Sequence, residues 1–146
     1  MITLNQIKYK LIDFFKNHKQ VNEVSYTDDF SFAANRELIY PVVNIEYLEA
    51  NVQDKKINHS YNMIIGDLID AANTQSEDEV ISDAMQIAED FFAWLWEQKE
   101  FVFMKNTNIQ KFSDDNGGRV SGITFRIALS ILRNQNICNT PINFLE

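Results

Sequence analysis

The chain has 146 residues, near the usual size of one domain, and 45% are apolar, with 18 aromatics (11 Phe, 5 Tyr, 2 Trp), enough for a core without staples. Its formal charge of -8 argues against free-standing binding to nucleic-acid phosphate. A single cysteine, Cys138, excludes an internal disulfide and a thiolate cluster for zinc, and four glycines and two prolines exclude a low-complexity tail.

The opening Met1-Ile2-Thr3-Leu4-Asn5 lacks the basic-then-apolar layout of a signal peptide. No stretch approaches the ~18 apolar residues of a membrane span, so the expectation is an intracellular soluble protein. Thr3 and Gln6 have the spacing of a capping box, and Leu4, Ile7, Leu11, Phe14 and Phe15 recur at three- and four-residue steps. That pattern predicts a helix stopping near Asn17-His18, with Lys8, Lys16 and Lys19 off its apolar stripe. Val24 and Tyr26 alternate with polar neighbours ahead of an Asp28-Asp29 turn and predict a short strand. The next segment, "FSFAANREL", keeps no clear period.

"LIYPVVNIEYLEANV" is β-branched and aromatic. It predicts a strand with Val43, Ile45 and Tyr47 on one face and Asn44, Glu46 and Leu48 on the other. Pro41 belongs at its start or at an edge, because it cannot donate to a ladder. After a polar "QDKK" turn, Ile57, His59, Tyr61, Met63 and Ile65 share one face of a second strand, antiparallel to the first. Ser76 and Glu79 form another capping-box pattern, with Glu77, Asp78 and Glu79 where the helix dipole favours acids. Val80, Ala84, Ile87, Phe91, Trp94 and Leu95 then predict a helix over about 77–98. "FVFM" and "NIQKF" predict a strand interrupted at Lys105–Asn108. Ile123, Phe125, Ile127, Leu129 and Ile131 hold a two-residue period, so the final pair reads as a hairpin with Asn116-Gly117-Gly118 at its tip. The predicted order is α-β-β-β-α-β-β: an α+β two-layer sandwich, two helices on one face of a mainly antiparallel sheet. Residues 1–133 form the domain and 134–146 an irregular arm.

The candidate sites read mostly as structure. Counting from Asp114, the twelfth position of a calcium loop falls on Phe125 instead of a glutamate, so Asp114–Gly118 is a hairpin tip. His18, at a helix end, and His59, in a strand, have no partner at ligand spacing, and Cys138 has no context of a nucleophile. No catalytic set, metal site or cofactor site is expected. The charge is uneven: residues 1–20 carry four lysines and one aspartate, residues 77–100 eight acids and Lys99. A solvated face explains most such charge, yet a lysine-rich first helix and an acid-rich second also suit heterologous contact between copies. In "FFAWLW", Phe91, Trp94 and Leu95 face the sheet, whereas Phe92 and Trp96 fall off the stripe and suggest a subunit interface. Asp114, Asp115, Phe92, Trp96, Lys8 and Lys16 are the candidate contact residues.

The helix "LNQIKYKLIDFF", the strands "YPVVNIEYLEANV" and "INHSYNMIIGDLI", the helix "VISDAMQIAEDFFAWLW" and the hairpin around "DDNGGRVSGITFRIAL" together resemble the tail-terminator and tail-completion proteins of tailed bacteriophages. The resemblance spans nearly the whole chain and is one of layout, without a diagnostic motif. It implies a structural virion subunit, assembled in the host cytoplasm, without enzymatic activity. It also implies a cyclic homo-oligomer, a hexamer or a multiple of one, that joins neighbouring neck and tail rings, with DNA only passing through its lumen and no membrane contact. A negative lumen would keep that DNA from sticking. A different class stays open on residue chemistry: a small acidic inhibitor or immunity protein that mimics phosphate towards a basic nuclease.

Overall fold

The computed structural model describes residues 2–28, 31–32, 38–69, 75–104, 107–113 and 120–132. Helix α1 (Leu4–Lys16) starts at the predicted capping box: the Gln6 amide donates to Thr3 Oγ1 at 3.2 Å and the Thr3 amide to Gln6 Oε1 at 2.9 Å. It ends at Asn17, whose amide N–H reaches back to the Asp13 carbonyl. Strand β1 (Glu23–Ser25) is short, β2 (Val42–Gln53) and β3 (Lys56–Leu68) form a long hairpin, and α2 (Gln75–Glu97) crosses back. Strands β4 (Val102–Phe103), β5 (Ile109–Ser113) and β6 (Val120–Leu132) complete the described elements. Helix α2 contains Gln75 and Ser76, so Ser76 lies inside the helix and not at its cap, a correction of the predicted start.

The two helices lie on one face of a six-stranded sheet ordered β1-β2-β3-β6-β4, with β5 also on β6. All pairings are antiparallel except β1 with β2, which is parallel. A parallel neighbour needs a crossover, and the chain from Tyr26 to Pro41 supplies it. Strands β4 and β5 occupy the same edge of β6 end to end. Phe103 faces Leu129 and Ile109 faces Phe125, so the outer chain takes six residue steps where β6 takes four. This is the interruption expected near Lys105–Asn108. Strand β5 pairs with β6 up to Ser113 opposite Ser121, which bears out the hairpin. Its tip, including Asp114 and Asp115, lies outside the described residues, as does the arm 134–146.

The alternation read from the sequence sets the sheet's two faces. Val43, Ile45, Tyr61, Met63, Ile65, Ile123, Phe125, Ile127, Leu129 and Ile131 are buried under the helices. From above come Ile7, Leu11 and Phe15 of α1 and Ala84, Ile87, Ala88, Phe91 and Leu95 of α2. The opposite face carries a second, smaller cluster at one end: Phe32, Val42 and Ile64, with Leu38, Tyr40 and Phe112 against them. Asn44 anchors the crossover that brings Phe32 there. Its Oδ1 accepts from Ser25 Oγ (2.6 Å), Thr27 Oγ1 (3.1 Å) and the Thr27 amide (3.3 Å), and its Nδ2 donates to the Thr27 carbonyl (3.0 Å). A fully buried amide satisfied in this way costs little to bury, whereas leaving it unpaired would cost about 1–3 kcal/mol.

The small cluster needs a close approach of two strands beside it. Gly66 and Gly122 are opposite each other, and Phe112 is opposite Gly122 on its other side. A Cβ on Gly122 would meet the Ile65 carbonyl oxygen at 1.9 Å, whereas one on Gly66 would meet Val120 Cγ1 at 3.2 Å and the Ser121 carbonyl oxygen at an ordinary contact distance of 3.6 Å. Gly122→Ala is therefore expected to destabilise by about 3 kcal/mol or more, because backbone must move. Gly66→Ala should stay within about 1 kcal/mol of wild type, the lost unfolded-state freedom offsetting a small side-chain shift. Urea unfolding of the two variants measures this, and equal losses would contradict the geometry.

Candidate interaction site

The helical layer is complete within one chain. α1 and α2 run antiparallel, and Phe14, Phe15, Phe91 and Trp94 fill the seam between them, with ring centroids 4.7 Å apart for Phe15–Phe91 and 4.9 Å for Phe14–Trp94. Around this seam the charges of the two helices meet. Lys10 Nζ lies 2.9 Å from Glu100 Oε1, and His18 Nε2 lies 2.8 Å from Asp90 Oδ2. Part of the complementarity expected between copies is thus spent inside one copy. Asp78, Glu79, Asp83, Glu89 and Glu97 remain exposed along α2.

The six predicted contact residues do not form one patch. Lys8 is half-buried on the β1 flank of the layer, with Nζ 4.7 Å from the centre of the Tyr26 ring, a cation–π contact. Lys16 is exposed in the last turn of α1. Phe92 and Trp96 lie on the opposite flank, towards β4. The Phe92 ring stacks on Phe103 at 5.5 Å and meets Phe125 edge-on at 5.1 Å, so its apolar surface is used within the chain. Trp96 leaves 66% of its surface exposed while its ring lies 5.9 Å from Phe103. Val102, Met104 and Leu132 are also exposed near that edge. Asp114 and Asp115 lie outside the described residues.

Sequence reasoning pointed to an open sheet edge or the 134–146 arm as able to add to a neighbour's sheet, but did not single out the sheet face away from the helices. Beyond the Phe32 cluster, the helix-free face carries a groove of about 610 Å³ whose lining includes Glu46, Asn62, Gln110, Thr124 and Arg126. Asn62 and Arg126 are cross-strand partners, and the Thr107 hydroxyl donates to the Arg126 carbonyl at 2.6 Å. The groove is lined by amides, a hydroxyl and opposite charges, a set that suits contact with another polar surface. The edges are open too. Strand β1 pairs with three of the twelve residues of β2, leaving Ile45–Gln53 without an outer neighbour among the described residues. The outer side of β5 has none either. The signal for the long edge was present in the sequence, a three-residue strand beside a twelve-residue one, but which strands pair is not local information.

Titrating groups are few in these places. Lys111 pairs with Glu77 and ties β5 to the first turns of α2. The hydrogen bond from Lys111 holds the Glu77 carboxyl below its ordinary range, and Glu77 raises Lys111 in turn. His59 is buried in β3 with Nδ1 3.0 Å from the Tyr47 hydroxyl, and burial holds its imidazole below the ordinary histidine value. Among the described residues, no group of three or more His, Cys, Asp or Glu side chains converges as a ligand set. No described helix is long and apolar enough to cross a membrane. No protein-family model matches the chain, and no curated protein matches it at a significant level.

His59 makes stability pH-dependent. With its folded pKa below the 6.5 of a free histidine, the unfolded chain binds the proton more readily. The stability His59 contributes is complete above about pH 6.5 and falls as the pH drops towards the lower folded value, by at most about 1.4 kcal/mol per pH unit. Denaturant midpoints between pH 7.5 and 5 should fall less steeply for His59→Gln than for wild type. Identical slopes would show that His59 does not lose its neutral environment on unfolding.

Proposed function

We propose that this chain is a structural subunit of the tailed-bacteriophage neck or tail, of the tail-terminator or tail-completion kind. It binds copies of itself in a ring, joins adjacent neck and tail rings, and leaves a channel through which DNA passes. One observation carries the reading: beyond the Phe32 cluster the sheet face away from the helices carries a polar groove, and among the described residues the lateral edges have no outer neighbour, with exposed apolar residues beside the β4 edge. Surface of this kind serves recognition. The order and lengths of the elements, which resemble those tail proteins, support the particular assignment. The net charge of -8 suits a ring through which DNA slides without binding.

The exposed acids of α2 favour a second reading, an inhibitor that presents carboxylates to a basic nuclease. Light scattering coupled to size exclusion separates the two. The ring reading expects a mass that rises with concentration to a closed multiple of the 17.0 kDa chain. A monomer at every concentration, binding a cationic nuclease stoichiometrically, would establish the second.

Docking to a neighbouring ring gives a further test. Asp114→Lys with Asp115→Lys reverses two charges at the hairpin tip. Pull-down of the adjacent ring protein is expected to weaken while the melting temperature stays within a few degrees, as exposed substitutions change stability by roughly 0.5 kcal/mol or less. Loss of folding would show the tip to be packed, and undiminished docking would remove it from the interface.

A further inference from the structure

We infer that copies of this chain join edge to edge, the outer side of β5 in one copy adding to the outer side of β2 in the next, so that the sheet continues from subunit to subunit. The inference rests on the ring reading and specifies its contact. Strand directions favour it. Because β2, β3, β6 and β5 are antiparallel each to the next, β5 runs opposite to β2. A neighbour placed side by side in the same orientation therefore brings its β5 antiparallel to β2, the more stable form of pairing. The two edges differ, so the contact is heterologous, as a ring requires. The lengths also fit: β5 has five residues, and nine residues of β2 lie beyond the part held by β1.

Charge argues against the symmetric alternative. Pairing β2 with β2 would bring the exposed Glu49 of both copies into one ladder, and β2 has no basic residue between Ile45 and Gln53. The charged residue of β5 is Lys111. A β5–β2 contact adds no second acid to the ladder, since the only charged residue of β5, Lys111, is paired with Glu77 on the helical side.

The ladder identifies which backbone groups are available. The amides of Asn22 and Glu23 donate to the Pro41 carbonyl at 2.9 and 3.3 Å, so alternation turns the backbone of Val43, Ile45 and Tyr47 outward. At the far end, Gln53 and Lys56 close the two-residue turn Asp54-Lys55, in which Asp54 has φ 53°. A closing pair of this kind bonds inward, so Ala50 and Val52 face outward. The register shift between Tyr47 and Glu49 reconciles the two phases. Proline is tolerated where an edge strand's N–H faces solvent.

Ala50→Pro combined with Val52→Pro is the test, in the full chain. The expected result is a protein with wild-type circular dichroism that stays monomeric at concentrations where wild type assembles. Asn51→Pro, which removes an inward bond to β3, should instead damage the hairpin. Hydrogen exchange on wild type gives a second measurement that needs no variant: β5, five residues long, fits Glu49–Gln53 beyond the register shift, so the amides of Ala50 and Val52 should become protected on assembly. A double-proline variant that assembles like wild type, or outward amides that stay unprotected in the assembled protein, overturns the edge contact and leaves the ring reading standing. A wild-type chain that never assembles overturns both.

Discussion

The fold depends on one constraint, the burial of the alternating face of β6. Ile123, Phe125, Ile127, Leu129 and Ile131 stand at two-residue spacing, and all are nearly inaccessible. Each such side chain contributes about 1.5–3 kcal/mol when removed from water. A slip of one residue would turn the whole set to solvent, so the pattern fixes the register against β3 over thirteen pairs. Strands β3, β4 and β5 all pair with β6, and α2 packs on it. The Gly66–Gly122 pair then lets the other face of the same strands close under Phe32 and Phe112, so that the two faces of β6 are finished in different ways.

Packing, not charge, holds the helical layer. The bridges Lys10–Glu100 and His18–Asp90 each have at least one exposed partner, and pairs of that kind are worth about 0–1 kcal/mol. The aromatic contacts at the seam add about 0.5–1.5 kcal/mol per pair to their area burial. The basic–acidic split between the helices therefore selects orientation more than it stabilises. It also gives a physical reason why the most conspicuous charge pattern in the sequence need not mark an interface: Lys10 and His18 of the first segment already meet Glu100 and Asp90 of the second.

What was legible in the sequence was local or periodic. The Thr3–Gln6 box, the stop at Asn17 and the faces of β2, β3 and β6 each depend on spacing within a few residues, and each is present in the structure. Ser76 misled because a serine ahead of acids is equally at home inside the first turn of a helix, where it stands as the second residue. Phe32, Leu38 and Tyr40 had no period because they cover one end of the sheet from a crossover, where no repeating geometry applies. Asn44 looked like the polar member of an alternating strand. Its partners Ser25 and Thr27 lie 17 to 19 residues away, a pairing made by the parallel β1 and invisible to spacing. The candidate contact residues fared unevenly for a similar reason. A helical wheel separates Phe92 and Trp96 from the main stripe, but only the position of β4 decides that Phe92 is covered and Trp96 is not.

An edge of nine residues with no outer neighbour among the described residues is a hazard for any chain that accumulates to high concentration, because a free ladder accepts any extended segment. The devices on β2 restrict what it accepts. The bulge at Leu48 breaks the ladder into two phases, so a long regular strand cannot pair along the whole of it. The exposed Glu49 disfavours a second copy of the same strand. A partner short enough to fit on one side of the bulge, and free of acids, meets neither obstacle, and β5 has both properties. The strand twist natural to such a continued sheet rotates each copy relative to the last by a fixed hand. A fixed rotation at a heterologous contact closes into a ring when it divides a full turn and otherwise extends as an open helix. The features that guard this edge against aggregation are thus the same ones that favour the short, acid-free β5 as the strand inferred to meet it.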